Sequence, residues 1–178
     1  MPYEILKSET KYNGILMDIQ LDTIRLPDGR EAKREIALHA PAAAVLPVDW
    51  DGALIFVRQY RHPLKDMALE IPAGILEDGE TPEVCAAREL EEEIGKKPGK
   101  LNKIFSFYTS IGFCTEQLTV FIAEDLIDSH QNLDEDEFVT IEKYTPEQAF
   151  DLIQNGGIVD AKTTAALLYY LNIIKKSI

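Results

Sequence analysis

Arg88 is followed by Glu89, Glu91, Glu92 and Glu93 within GILEDGETPEVCAARELEEEIGK, residues 74–96. Carboxylates this dense repel one another at helical neighbour spacing by roughly 0.2–0.5 kcal/mol per pair, and something must offset that repulsion. A helix face in open water does so by solvation. Divalent cations do so by coordination, because hard ions such as Mg²⁺ and Mn²⁺ take oxygen ligands and fill their remaining positions with water or substrate phosphates. The two readings differ in geometry: a metal site needs its carboxylates on one face.

The helix that would carry them has clear ends. Thr81 is the expected N-cap, Pro82 suits the first helical position, and Gly95 suits the stop. At about 100° per residue, Ala86, Ala87, Leu90 and Ile94 share one arc, while Arg88, Glu89, Glu92 and Glu93 share another. Glu91 points elsewhere. Three carboxylates are thus expected to converge on one face, with an apolar stripe anchoring the opposite one.

The rest of the chain limits what such a face could serve. A length of 178 residues suits one domain, or one domain with an appended subdomain. The net charge of −13 excludes general binding to nucleic acid or to anionic membranes. It leaves room for a small phosphorylated substrate reached through divalent cations. No run of about eighteen apolar residues predicts a membrane span, and MPYEILKSET lacks the basic start and apolar core of a secretory signal. Cys85 and Cys114 are too few for a disulfide framework and fit a reducing compartment. The expectation is a cytoplasmic protein.

Strand-like segments precede the acidic helix: 15–26, ending at the turn PDGR (27–30), then 33–40, 43–48 and 53–60, the last two separated by DWDG (49–52). Two more follow it, at 103–110 and 118–125. The polar stretch DSHQNLDEDE (128–137) reads as a solvated loop. A helix is expected over 145–157, capped by Thr145 and Pro146 and stopped at Gly156 or Gly157, and a last one over 160–176, starting at Asp160. This order predicts an α/β (α+β) sandwich, a mixed sheet flanked by helices.

The acidic helix sits in a wider frame: Gly74, five residues, Glu80, seven residues, then Arg88-Glu89-Leu90-Glu91-Glu92-Glu93-Ile94-Gly95. In this the sequence resembles the Nudix hydrolases, whose box reads GX5EX7REUXEEXGU with U aliphatic. Every fixed position is met, and only the final U departs, being Lys96. The segments VRQYR (57–61), LEIPAG (69–74) and YTSIGFCTE (108–116) are similar to those of the ADP-ribose pyrophosphatase and nucleotide-sugar hydrolase branch. The resemblance implies a loop–helix–loop inside an αβα sandwich (residues 42–178). It also implies a small N-terminal antiparallel β subdomain (residues 1–41) used in homodimerisation. The activity implied is metal-dependent hydrolysis of the diphosphate of ADP-ribose or a related nucleoside diphosphate sugar, such as GDP-mannose, with Mg²⁺ or Mn²⁺ as cofactor. A non-catalytic nucleotide-sugar-binding module is the alternative, and it would not need the glutamates that are all present here.

By the same resemblance, Glu89 and Glu93 are the main metal ligands, Glu92 shares ions or orients waters, and the Ala73 carbonyl completes a site. Arg88 orients the glutamates through charge-assisted hydrogen bonds. Glu116, on a loop, is the expected catalytic base; Arg61 is the expected diphosphate contact, and Gly112 lies in the substrate loop. Glu80 is fixed in the box, with a structural or supporting role. Relatives carry a proline where this chain has Ile111, which implies looser selectivity for ADP-ribose. Arg58 reads as salt-bridged or exposed, Cys85 as a small buried filler, Trp50 as a partly exposed turn aromatic, and Tyr169 and Tyr170 as packing. His39, His62 and His130 share no ligand spacing and read as structural or exposed.

Overall fold

The computed structural model describes residues 3–133 and 137–176. In chain order the elements are β1 (Glu4–Asn13), β2 (Met17–Arg25), β3 (Glu31–His39), β4 (Ala42–Pro47), β5 (Leu54–Arg61), β6 (Asp66–Glu70) and β7 (Ala73–Ile75). Then follow α1 (Pro82–Ile94), β8 (Lys96–Lys97), β9 (Lys100–Tyr108), β10 (Gln117–Glu124), β11 (Ile127–Asp128), β12 (Val139–Tyr144), α2 (Pro146–Gln154) and α3 (Ala161–Lys176). The backbone gathers into two compact units, Met1–Pro41 with Ser106–Leu118, and Ala42–Phe105 with Thr119–Ile178.

The smaller unit is built on an antiparallel meander, β1-β2-β3. Its second hairpin closes where PDGR predicts a turn. Gly29 takes φ 87° there, a left-handed value that suits glycine, and Leu26 N–H donates to Arg30 O at 2.8 Å. β1 is irregular, with register shifts between Ile5 and Lys7 and between Thr10 and Tyr12. The outer edge of β3 is met by the segment from the later chain: Ala37 N–H donates to Phe113 O at 2.7 Å and Thr115 N–H to Ala37 O at 3.0 Å.

The larger unit holds one sheet of order β7-β4-β10-β9 and another of order β12-β5-β6. All six residues of β4 are buried, as expected of a strand covered on both faces. Ala43 and Val45 pack in a core cluster with Ile55, Val57, Phe121, Ala123 and the α1 residues Cys85, Ala86, Leu90 and Ile94. Ala44 and Leu46 belong to the opposite pleat, and α3 packs on the same strand. The mixed α+β arrangement expected from the sequence is the one observed.

Thr81 caps α1, accepting from Val84 N–H at 3.4 Å, and Gly95 ends it at φ 68°. Thr145 forms a full capping box with Gln148. That helix stops at Asn155 rather than at a glycine, with Gly156 following at φ 80°. The expected loop at 128–137 begins instead as a short strand, where Ile127 and Asp128 pair with Lys97 and Lys96. Lys96, the one departure from the box, forms an ion pair with Asp128 there. Residues 134–136 of that stretch lie outside the described residues. Strands β1, β6, β7, β8 and β12 have no counterpart among the expected segments.

Candidate active site

The acidic face of α1 does not look into water. Glu89 is 9% exposed and Glu93 2%, and both lie on the buried side with Cys85, Ala86, Leu90 and Ile94. The expected opposition of apolar stripe and acidic face is therefore corrected: Glu89 and Glu93 adjoin the apolar stripe, on the same buried half of the helix. A buried carboxylate in this number needs partners. Arg88 is the first of them. Its guanidinium donates to Glu80 Oε1 at 3.0 Å and Oε2 at 3.1 Å, to Glu89 Oε1 at 2.6 Å, to Glu92 Oε2 at 2.9 Å and to the Ile75 carbonyl at 3.1 Å. Glu80, above all, holds Arg88 protonated beyond its already high range. Glu80 is itself anchored by Glu77 N–H at 2.9 Å. The box arginine thus stitches one loop carboxylate to two helix carboxylates.

Gly74 shows why the frame starts on glycine. A Cβ at this position would lie 1.8 Å from Glu89 Oε1, so any side chain would displace that carboxylate. Cys85 is a buried filler as expected. Burial pushes its thiol up to about 12, which removes it from nucleophilic chemistry.

Glu93 is less well provided for. It hydrogen-bonds the Ala73 backbone, while its Oε2 is buried with no hydrogen-bond partner. Burial, reinforced by the charges of Glu89 and Glu137, pushes its carboxyl up to about 8. Burial likewise raises Glu89, against the pull of Arg88. Two adjacent desolvated carboxylates, of which only Glu89 is paired with an arginine, suit a bound cation. Among the described residues no group of three or more His, Cys, Asp or Glu side chains is already gathered in ligand geometry; Glu89 and Glu92 spend oxygens on Arg88.

Arg61, at the end of β5, is close enough for its charge to act on Glu93. It is bound in fork geometry by Glu70, Nε to Oε1 at 2.7 Å and Nη2 to Oε2 at 2.9 Å. Arg58, on the same strand, is paired with Glu142. Arg61, Ala73, Arg88, Glu89, Glu92 and Glu93 all belong to the larger unit. Glu116 and Gly112 belong to the smaller one. There Glu116 Oε2 accepts from Thr109 Oγ1 at 2.6 Å, and His39 Nδ1 lies 4.0 Å from its Oε1. Gly112 has open space around a built Cβ and no positive φ, so neither sterics nor strain demands glycine. Ile111 is 83% exposed.

Three residues that matter to this charge pattern went unnoticed in the sequence: Glu70, Lys162 and Glu137. Glu70 did leave a signal, since a glutamate inside the apolar run MALEI is the kind of buried charge that needs a partner. Glu137 is hidden in a run of acids.

A buried carboxylate pair, an arginine that clamps one of them and a second pinned arginine are thus gathered in the larger unit. The NUDIX domain matches residues 38–167. The chain is 45% identical over 166 residues to an ADP-ribose pyrophosphatase of Bacillus subtilis, covering 92% of this chain and 90% of that protein. It is 40% identical over 166 residues to a methanol dehydrogenase activator of Bacillus methanolicus, with the same coverages. A solved structure of an ADP compounds hydrolase shares the fold at a TM-score of 0.90 and 21% identity, covering 99% of this chain and 96% of that one. The chain belongs to the Nudix family and is a pyrophosphohydrolase.

Proposed function

We propose that this enzyme hydrolyses the diphosphate of ADP-ribose, or of a related nucleoside diphosphate sugar, to a nucleoside monophosphate and a sugar phosphate. The name and 45% identity of the Bacillus subtilis relative support the substrate class. The observation that carries the chemistry is Glu93, a buried carboxylate with one oxygen unpartnered beside a second buried carboxylate.

Glu89, Glu93, Glu92 and the Ala73 carbonyl would hold a divalent cation, Mg²⁺ or Mn²⁺. Such an ion neutralises diphosphate charge and lowers the pKa of bound water. The protein's own groups do the rest. Arg88 keeps Glu89 and Glu92 from turning away, and Glu80 keeps Arg88 in place. Arg61 offers its free guanidinium edge to phosphate oxygens. Two carboxylates outside the helix compete for the role of base toward the attacking water. Glu116, held by Thr109, is the one that family resemblance suggests. Glu137 is favoured by position, since its charge reaches both Glu89 and Glu93. The intact glutamates argue against a binding-only module. Two free cysteines are in keeping with a reducing compartment, the cytoplasm.

The test is a panel of ADP-ribose, ADP-glucose and GDP-mannose with Mg²⁺ or Mn²⁺, scored by released nucleoside monophosphate. Turnover of ADP-ribose is expected, with Glu137→Gln losing far more kcat than Glu116→Gln; the reverse order restores Glu116 as base. With isoleucine at 111, selectivity among the three is expected to stay within roughly 10–200-fold, the range of a modest pocket change. No release from any of the three would overturn the assignment.

A further inference from the structure

Arg61 is fixed by more than Glu70. Glu70 is only 3% exposed, and its Oε2 also accepts from Lys162 Nζ, on the first turn of α3. Lys162 lies 3.1 Å from Asp160 Oδ2. The same Asp160 oxygen accepts from Thr163 N–H at 2.9 Å and Thr163 Oγ1 at 2.6 Å, and Thr163 Oγ1 accepts from Ile71 N–H at 2.9 Å. The start of α3 is therefore fastened to residues 70 and 71 by an ion pair and a hydrogen bond. Ala73, which hydrogen-bonds Glu93, lies two residues further on.

Docking a helix does not call for this arrangement. Burying Glu70 and Lys162 carries a desolvation penalty, and well-packed apolar side chains generally stabilise such a junction as well or better. Arg61 supplies the missing reason. The fork to Glu70 uses one edge of its guanidinium and sets the plane of the rest, while its side chain remains 43% exposed. An unpinned arginine would lose rotamer freedom on meeting a ligand; this one has lost it beforehand. Charge matters as much. Arg61 and Glu70 alone are a neutral pair, with Glu93 and Asp160 adding negative potential around the arginine. Lys162 offsets the charge of Glu70, so that less of the Arg61 charge is spent on its own partner when a dianion approaches.

We propose that Glu70 and Lys162 are positioning residues that hold the Arg61 guanidinium oriented for the substrate's diphosphate. This rests on the reading of Arg61 as the diphosphate contact given under Proposed function. Lys162→Met, which keeps length and removes charge, is expected to raise KM for ADP-ribose about tenfold while kcat stays within roughly threefold, and Lys162→Arg is expected to restore most of the loss. Glu70→Gln should raise KM further. A second readout needs no substrate. The Arg61 Nε–H signal, assigned by its disappearance in Arg61→Lys, should exchange slowly with solvent in wild type and faster in Lys162→Met and Glu70→Gln. A wild-type KM and unchanged Arg61 exchange in Lys162→Met would overturn the proposal. So would equal losses of kcat and melting temperature in the Met and Arg variants with KM unmoved, which marks a purely structural junction. If wild type hydrolyses no member of the substrate panel, the functional reading falls, and faster Arg61 exchange in Lys162→Met still supports the pinning by itself.

Discussion

Glu93 and Glu70 are both buried glutamates, and the fold treats them in opposite ways. Burial leaves Glu93 with an unpartnered oxygen and a carboxyl raised to about 8. Burial would raise Glu70 too, but hydrogen bonds and charge from Arg61 and Lys162 outweigh it and pull the carboxyl down to about 2. The first pattern suits a group that waits for a cation, the second a group already satisfied. Glu93→Gln keeps shape and removes the charge a hard cation needs. Turnover at saturating Mg²⁺ should fall by roughly a hundredfold or more with the circular dichroism spectrum unchanged; a wild-type rate would sink the ligand assignment. For Glu70 the linkage has a definite sign. Its folded pKa lies below the unfolded value of about 4.5, so its contribution is fully present above that value and is lost as pH falls through about 2. Wild type should exceed Glu70→Gln by about 2–3 kcal/mol near pH 7 in urea unfolding, with the gap closing between pH 4.5 and 2. A gap that does not vary with pH would mean the carboxylate is not the stabilising species.

At the scale of the element, α1 was readable in the sequence at both ends and misread around its girth. Thr81, Pro82 and Gly95 act locally, through one hydrogen bond, one fixed φ and one left-handed residue, and local chemistry is visible in a linear string. Which arc of the helix is covered depends on packing against β4 and β7, which no local pattern within the helix reports, so Glu89 and Glu93 could not be recognised as buried. The unanticipated strands share a cause. β1 (EILKSETKYN) is mostly exposed on both faces and lacks the apolar alternation that marks a half-buried strand, and β7 is three residues long. The same dependence of α1 on its covering strand gives a prediction. Gly74→Ala should leave the helix folded but push Glu89 off its present position, lowering apparent Mg²⁺ affinity by about 10–100-fold in an activity titration. Unchanged affinity would show that the close approach of Gly74 and Glu89 is incidental.

For the molecule as a whole, the chemistry was more legible than the assembly. The spacing of Gly74, Glu80 and the glutamates of α1 survives any uncertainty about strands, because it is set within one loop and one helix. The parts of Glu137 and Lys162 were not recoverable, since Glu89, Glu93 and Glu70, on which they act, are far away in sequence. Assembly is a proposal here. The β1–β2 hairpin region exposes Tyr3, Ile5, Tyr12, Ile15 and Leu16, and such a surface supports a two-fold homodimer formed through the N-terminal sheet. Light scattering at micromolar concentration is expected to give twice the 20.0 kDa chain mass, and charged replacements at Ile5 and Ile15 should return it to monomer. A wild-type monomer under those conditions would remove the proposal.

The pairing of Ala37 with Phe113 and Thr115 also sets an order in time. On a ribosome, β1, β2 and β3 emerge first and can zip as local hairpins within microseconds. The segment that pairs with Ala37 on the free edge of β3 is made only after β4 to β9 and α1 have been translated, about 4–15 s later at ordinary elongation rates. Through that interval an unsealed strand edge, the kind that recruits other chains, is carried by every nascent copy. Nascent chains that expose only residues up to 105 should therefore bind holdase chaperones more than chains that also expose residues 106–118.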